Sequence, residues 1–266
     1  MNQNKNIERK LKEAERLKEK RGGFLGMGAK SDFVGSAMIY EEIAETMIEP
    51  EDKEKYYIEA AETFEKDKSE YSLWRASECY RELFEIFLKE NREKAAEFQI
   101  MGLKHLKTLK KYNIAGQRYV VLGELFEIDQ TERALQFFKE AAFCYSQVPS
   151  YKANLKVVKQ KILICLIVTK NTNEIVEMLR VENNLIEKQQ LCLQLCLILK
   201  DDYKAVIDND LKDKNEQKLI ETILNGTKEE IDAEILRFKD DNYLNVYESL
   251  IFEMFEESYS LENELC

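Results

Sequence analysis

The chain has 266 residues, 44% hydrophobic and 34% charged, with a formal net charge of −11, two prolines and nine glycines. Such a chain can bury a sizeable core, and so few glycines and prolines exclude a turn-rich β-sandwich, a Rossmann-type enzyme and a disordered linker. What remains is a nearly all-helical protein.

Residues Met1 to Lys10 run directly into a charged helical pattern with no apolar signal-peptide core, so the cytosol is the expected compartment. The longest apolar run, Ile162 to Val168, falls far short of the ~18 residues a membrane span needs. Apolar residues recur at spacings of three and four almost throughout. They predict helices at about 5–21, 32–48, 52–67, 70–89, 92–111, 113–128, 131–147, 151–169, 172–182, 186–200, 203–211, 215–225, 228–238 and 243–258. Pro50 and Pro149 are placed in turns. Connections this short force consecutive helices into antiparallel hairpins.

Small and large residues return in the same helical phase. Ala60-Ala61-Glu62-Thr63-Phe64 reappears 81 residues later as Ala141-Ala142-Phe143-Cys144-Tyr145, with Ala95-Ala96-Glu97-Phe98 and Ala115-Gly116 between. A small residue followed one turn later by an aromatic one lets stacked helix pairs approach closely. The pattern predicts an all-α, tetratricopeptide-like right-handed solenoid of antiparallel helix hairpins, capped by a C-terminal helical bundle. Expected boundaries are an N-terminal helix and loop over 1–29, a helical sheet over 30–182, and the bundle with an acidic tail over 183–266. Cys79, Cys144, Cys165, Cys192 and Cys196 lie among apolar residues and read as reduced core residues.

Catalytic chemistry finds no foothold. The run Gly22 to Gly28 lacks the lysine of a P-loop and a preceding strand. His105 is the only histidine and reads as a half-buried structural residue. Cys192 and Cys196 share a helix face without the further ligands of a zinc site. No nucleophilic triad can be assembled, so no enzyme activity, cofactor or metal is expected.

Binding is where the charge distribution points. Asp201 to Cys266 holds 19 acidic and 7 basic residues, whereas Ile100 to Lys170 holds 12 basic and 5 acidic. Within that basic band Lys104, Lys107 and Lys111 form one helical stripe and Lys152, Lys156 and Lys159 another, with Arg118 between. Stripes of this kind on stacked hairpins suit a concave surface for an acidic partner. The overall negative charge and the lack of a known motif disfavour nucleic acid. Phe24, Leu25 and Met27, set among glycines after Lys18, Lys20 and Arg21, suit weak attachment to a lipid surface, or a loop folded back on its own body. The tail ends in Glu264-Leu265-Cys266, its penultimate leucine in need of a partner.

Read together, these features resemble the soluble NSF attachment proteins, the SNAP family, of alpha type, with the gamma type left open. The resemblance is carried by Glu13-Ala14-Glu15-Arg16, the glycine-rich apolar loop, Ile114-Ala115-Gly116-Gln117-Arg118 through Glu127, Glu132 through Tyr145, Gln217-Lys218-Leu219-Ile220, and the acidic tail. It implies an adaptor that grips the SNARE four-helix bundle and recruits a hexameric AAA ATPase, NSF, for SNARE disassembly in vesicle fusion. By the same resemblance, SNARE contact falls to Lys111, Arg118, Lys156, Lys159 and Lys214, with Gln117 at one family lysine position. Membrane attachment falls to Phe24, Leu25 and Met27, and ATPase contact to Glu229, Glu230, Glu264 and Leu265. The implied location is cytoplasmic and peripheral to a membrane. The alternative is a generic tetratricopeptide-like scaffold that binds peptide segments of another complex.

Overall fold

In a computed structural model the described residues are 2–19, 31–182, 184–202, 206 and 211–264, with the side chains of 2–4 and 260–264 excepted. They form α1 (Asn2–Lys18), α2 (Phe33–Thr46), α3 (Pro50–Asp67), α4 (Glu70–Phe87), α5 (Arg92–Thr108), α6 (Tyr112–Phe126) and α7 (Thr131–Ser146). A 3-10 turn over Pro149–Tyr151 follows, then α8 (Lys152–Val168), α9 (Thr172–Val181), α10 (Gln189–Ile198), α11 (Lys214–Asn225), α12 (Lys228–Asp241) and α13 (Val246–Glu264). Among the described residues there is no strand. The expected helix over 203–211 falls outside them, except for Val206 and Leu211. Pro50 is not in a turn, as expected, but opens α3 at its first position, where the missing N–H costs nothing.

Short polar residues start the helices. Asp32, Ser69, Asn91, Asn171 and Asp213 each accept a backbone N–H of the first turn that follows them. Thr227 and Glu230 form a reciprocal capping box before α12. Three helix ends share another device. After α5, α8 and α10 the chain turns through Lys110, Lys170 and Asp201, all left-handed, with φ of 55°, 52° and 57°. The next residue's N–H then reaches back to Leu106, Leu166 or Leu197, at 2.9, 2.9 and 3.0 Å.

The chain divides into two compact units, Met1–Leu125 and Phe126–Cys266. In the first, α1 packs on α2, α2 on α3, α3 on α4 and α4 on α5, each helix on its chain neighbour as stacked hairpins require. Ala37, Ala44, Ala60, Ala61, Ala76, Ala95, Ala96 and Ala115 are fully buried, and Phe64 and Phe84 fill the space between. A methyl group added at Gly102 would stand 3.1 Å from the Ser77 carbonyl oxygen and 3.3 Å from Tyr80 Cβ, so α5 lies against α4 at glycine distance.

In the second unit α7 packs on α8, α8 on α9, α9 on α10, and α11 on α12, while α13 packs on both α8 and α10. Helices on either side of residue 182 therefore belong to one packed unit, and the division falls at the C-terminal end of α6. Leu191 through Ile198 are all buried, so α10 is the axis of this unit. Gln189 ties its start to the end of α9. Its Oε1 accepts the Leu185 N–H at 2.8 Å, and its Nε2 donates to the carbonyl oxygens of Leu179, at 2.7 Å, and Glu182.

Glu248, only 1% exposed, serves two helix starts at once. One carboxylate oxygen accepts the Lys188 N–H at 2.7 Å, just before α10, and the other accepts the Asn245 N–H at 3.0 Å, before α13. Asn245 Oδ1 in return accepts the Glu248 N–H at 3.2 Å. Replacing Glu248 by alanine strands both donors and is expected to lower unfolding free energy by about 2 kcal/mol. Urea denaturation of that variant beside the exposed control Glu253→Ala checks this, the control moving by less than ~0.5 kcal/mol.

Candidate functional site

In the first unit, the left-handed turn at Lys110 delivers Lys111 to the position just before α6. Lys111 is exposed, its ammonium 5.7 Å from the centre of the Trp74 ring. Lys104 is also exposed, while Lys107 is half-buried with its ammonium 5.9 Å from the Tyr119 ring. His105 is structural in its setting, with Nε2 2.8 Å from Glu65 Oε1 and its ring stacked on Tyr80.

Arg118 departs from the sequence expectation. It is only 7% exposed. Its Nη1 donates to Ser77 Oγ at 2.9 Å and to the Ser77 carbonyl oxygen at 3.2 Å, and its Nη2 to Glu78 Oε1 at 2.6 Å. Burial lowers its pKa, and Glu78 opposes that shift. Arg118 braces α6 against α4 and offers no surface charge; the exposed residue of that turn is Gln117.

In the second unit most lysines of the basic band are already engaged. Lys139 meets Glu174 at 2.6 Å, Lys161 meets Glu127 at 3.3 Å, Lys170 meets Glu257 at 2.9 Å, and Lys159 pairs with Glu182. Lys159 is thus half-buried and neutralised, not the open charge the stripe suggested. Lys152 and Lys156 differ. Both are exposed, and among the described residues neither is paired with a carboxylate. They lie in the first two turns of α8, which has no acidic residue in its first turn and no side-chain cap. Ala153, Asn154 and Val157 beside them are exposed as well.

Lysines at a helix start oppose the macrodipole at a cost of about 0.3–1 kcal/mol. Eight helices follow the favourable rule: α3, α4, α5, α7, α9, α11, α12 and α13 carry Asp or Glu in the first turn, whereas α1, α2 and α10 carry none. Lysines stand at three starts without a first-turn acid: Lys188 before α10, which meets Glu216 at 3.4 Å, and Lys111 before α6 and Lys152 on α8, with Lys156 a turn further in, which meet no carboxylate among the described residues. Counting charges along the sequence does not reveal this, because the signal is the position of each lysine relative to a helix start.

Lys214, exposed, opens α11 directly after its cap Asp213. Glu229 is exposed on α12, whereas Glu230 is occupied by its capping box, accepting the Thr227 N–H at 2.8 Å. Nearby, Glu234 is buried between Arg237 and Lys218, the latter at 2.9 Å. The bond from Arg237, with help from Lys218, holds its carboxyl down at about 2. Phe24, Leu25, Met27 and Leu265 lie outside the described residues, as does the side chain of Glu264.

Cys79, Cys144, Cys165, Cys192 and Cys196 are all buried, and burial pushes the Cys196 thiol up to about 12. Among the described residues no three His, Cys, Asp or Glu side chains gather as a metal site requires. No helix among them is long and apolar enough to cross a membrane. In comparison with known proteins, the chain matches no family model and no curated protein.

Two expected outcomes separate structural from surface charges. Arg118→Ala should cost about 3 kcal/mol, near the low end for breaking a buried pair because Glu78 keeps Arg81 at 2.9 Å, while Lys111→Ala shifts stability by under ~0.5 kcal/mol in the same denaturation assay. Glu234 has a folded pKa below its unfolded one, so its stabilisation is present above the ordinary carboxylate range and is lost as pH falls toward about 2. Glu234→Gln should therefore lower stability by about 1 kcal/mol near neutrality and flatten its acid dependence, as read by thermal melts across that window.

Proposed function

We propose that this chain is a SNAP-type adaptor, an all-helical scaffold that grips an acidic rod of helices, the SNARE four-helix bundle, and presents it to an NSF-type hexameric AAA ATPase. The observation that carries the reading is the pair of lysine-bearing helix starts, Lys111 before α6 and Lys152 with Lys156 on α8. These lysines oppose their own helix dipoles and, among the described residues, meet no carboxylate. Lys111 is offset only by its place near the Trp74 ring, and Lys152 and Lys156 by nothing within the described residues; a local cost of this kind is expected where a surface serves a partner.

Each contact of an exposed lysine with an acidic rod is weak and screened by salt, so grip comes from several contacts and from several copies around one rod. Such recognition reads charge and shape without reading sequence. The adaptor itself carries out no chemistry and needs no cofactor; ATP hydrolysis belongs to the recruited ATPase. Arg118 drops out of the contact set because it is buried, and Lys159 enters only if Glu182 releases it. Exposed Lys214 remains in the set as a peripheral contact. The remaining assignments rest on the sequence resemblance: Phe24, Leu25 and Met27 for weak, peripheral membrane attachment, and Glu229, Glu230, Glu264 and Leu265 for the ATPase.

Lys111→Glu should raise helix stability slightly, by about 0.3–1 kcal/mol, because it now favours the dipole, and Lys156→Glu, a turn into α8, by less. Together they should sharply weaken pull-down of assembled SNARE bundles at low salt. Undiminished capture would remove the reading. Leu265→Ala should leave capture intact and slow ATP-driven disassembly; an unchanged disassembly rate would take the ATPase role away from that residue.

A further inference from the structure

Of the nine glycines in the chain, only Gly226 follows an asparagine. It lies in the turn between α11 and α12, which pack on each other. A methyl group added there would stand 2.7 Å from the Thr222 carbonyl oxygen and 3.4 Å from Glu230 Cβ. The nearer contact is helix backbone, which cannot swing aside, so the close approach requires glycine. The same requirement leaves the Gly226 nitrogen with no side chain to shield it from the Asn225 amide.

That pairing lets the chain attack itself. The Gly226 nitrogen loses its proton to hydroxide and forms a bond to Asn225 Cγ. The Cγ–Nδ2 bond breaks, and the leaving nitrogen takes a proton from water and departs as ammonia. One water molecule then opens the resulting five-membered succinimide at either carbonyl. One opening leaves aspartate; the other leaves isoaspartate, whose main chain runs through the former side chain and is longer by a methylene. The net change is amide plus water to carboxylate plus ammonium.

Water reaches the site. Asn225 is exposed, and with Glu221, Thr222 and Gly226 it lines an open cleft of about 700 Å³ between α11 and α12. Two hydrogen bonds hold the reaction back. The Gly226 N–H, whose proton must leave, donates to the Thr222 carbonyl oxygen at 2.8 Å. Asn225 Nδ2 donates to the Glu221 carbonyl oxygen at 3.1 Å. Asn225 is also the last residue of α11, and ring closure requires its backbone to leave the helical setting. All three restraints belong to the final turn of a helix, the part that opens first.

We propose that Asn225 is a site of spontaneous deamidation whose rate is set by fraying of the last turn of α11, and that the reaction weakens the joint between α11 and α12. Either product loses the Nδ2 donor. Aspartate places a negative charge at the C-terminal end of a helix, one turn after Glu221, where the macrodipole and the neighbouring carboxylate both oppose it. Isoaspartate shifts the Gly226 N–H away from Thr222, just ahead of the Thr227–Glu230 capping box. None of this rests on the adaptor reading.

The test keeps the full chain in mildly alkaline buffer at body temperature. Mass spectrometry follows the proteolytic peptide that spans residue 225, with the two products separated by chromatography. The native chain should convert, isoaspartate in excess, about tenfold more slowly than the same chain in guanidinium chloride. Glu221→Gly weakens the last turn at an exposed position and should raise the native rate about threefold. Asn225→Gln removes the five-membered closure and should abolish the change. Asn225→Asp, which reproduces one product, should melt about 2 °C below the wild type. The proposal is overturned if the native chain stays unconverted while the unfolded chain reacts, or if both react at one rate. It is equally overturned if Glu221→Gly leaves the native rate as it was, if Asn225→Gln still gains the mass, or if Asn225→Asp melts no lower.

Discussion

Everything in the first unit depends on how closely its helices approach. Ala60 and Ala61 on α3, Ala76 on α4, Ala95 and Ala96 on α5, and Ala115 on α6 are fully buried because a larger side chain would hold the helices apart. Gly102 carries this furthest, with a methyl group there falling 3.1 Å from the Ser77 carbonyl oxygen and 3.6 Å from Arg118 Nη1. The gap left beside it is filled by the Arg118 guanidinium, which reaches Ser77 and Glu78. Small residues thus decide where a long charged chain goes as well as how near the backbones come.

The same logic sorts the lysines. In the second unit Lys139, Lys159, Lys161 and Lys170 each reach a carboxylate on another helix or just past its end, so their charge is spent within the unit. Lys152 and Lys156 sit on the exposed opening turns of α8, beyond the reach of such partners. Surface ion pairs of the first kind contribute little to stability, on the order of 0–1 kcal/mol each, but they decide which charges an incoming partner meets. What remains outward is a subset of the basic band: Lys104 and Lys110 at the end of α5, and Lys111, Lys152 and Lys156 on or before the opening turns of α6 and α8.

Much of this was legible in the sequence. The three- and four-residue periodicity marks nearly every helix, the apolar neighbours of the five cysteines announce burial, and the setting of His105 between Met101 and Leu109 announces a structural role. The alanine–aromatic recurrence identifies the close helix faces. Two features resist such reading for one reason: they depend on pairs distant in sequence. Arg118 looks like the exposed neighbour of Gln117 until Glu78, 40 positions earlier, is placed beside it. Lys159 looks like the end of an open stripe until α9 returns Glu182 to it. The division between the units coincides with the end of α6, but that turn looks like any other helix connection in the sequence.

The turns carry one more implication. At Lys110, Lys170 and Asp201 the backbone adopts a hand that glycine accepts freely and an L-residue resists by roughly 1 kcal/mol. Each bend returns a hydrogen bond to the helix it ends, and at Lys170 the helices on either side, α8 and α9, also pack on each other. Chain inserted at the Lys170 bend would add only about 0.6 kcal/mol of closure entropy for each doubling of loop length, leaving α8 and α9 in register. The second unit can accordingly accept a new segment at that bend while its interior stays as it is.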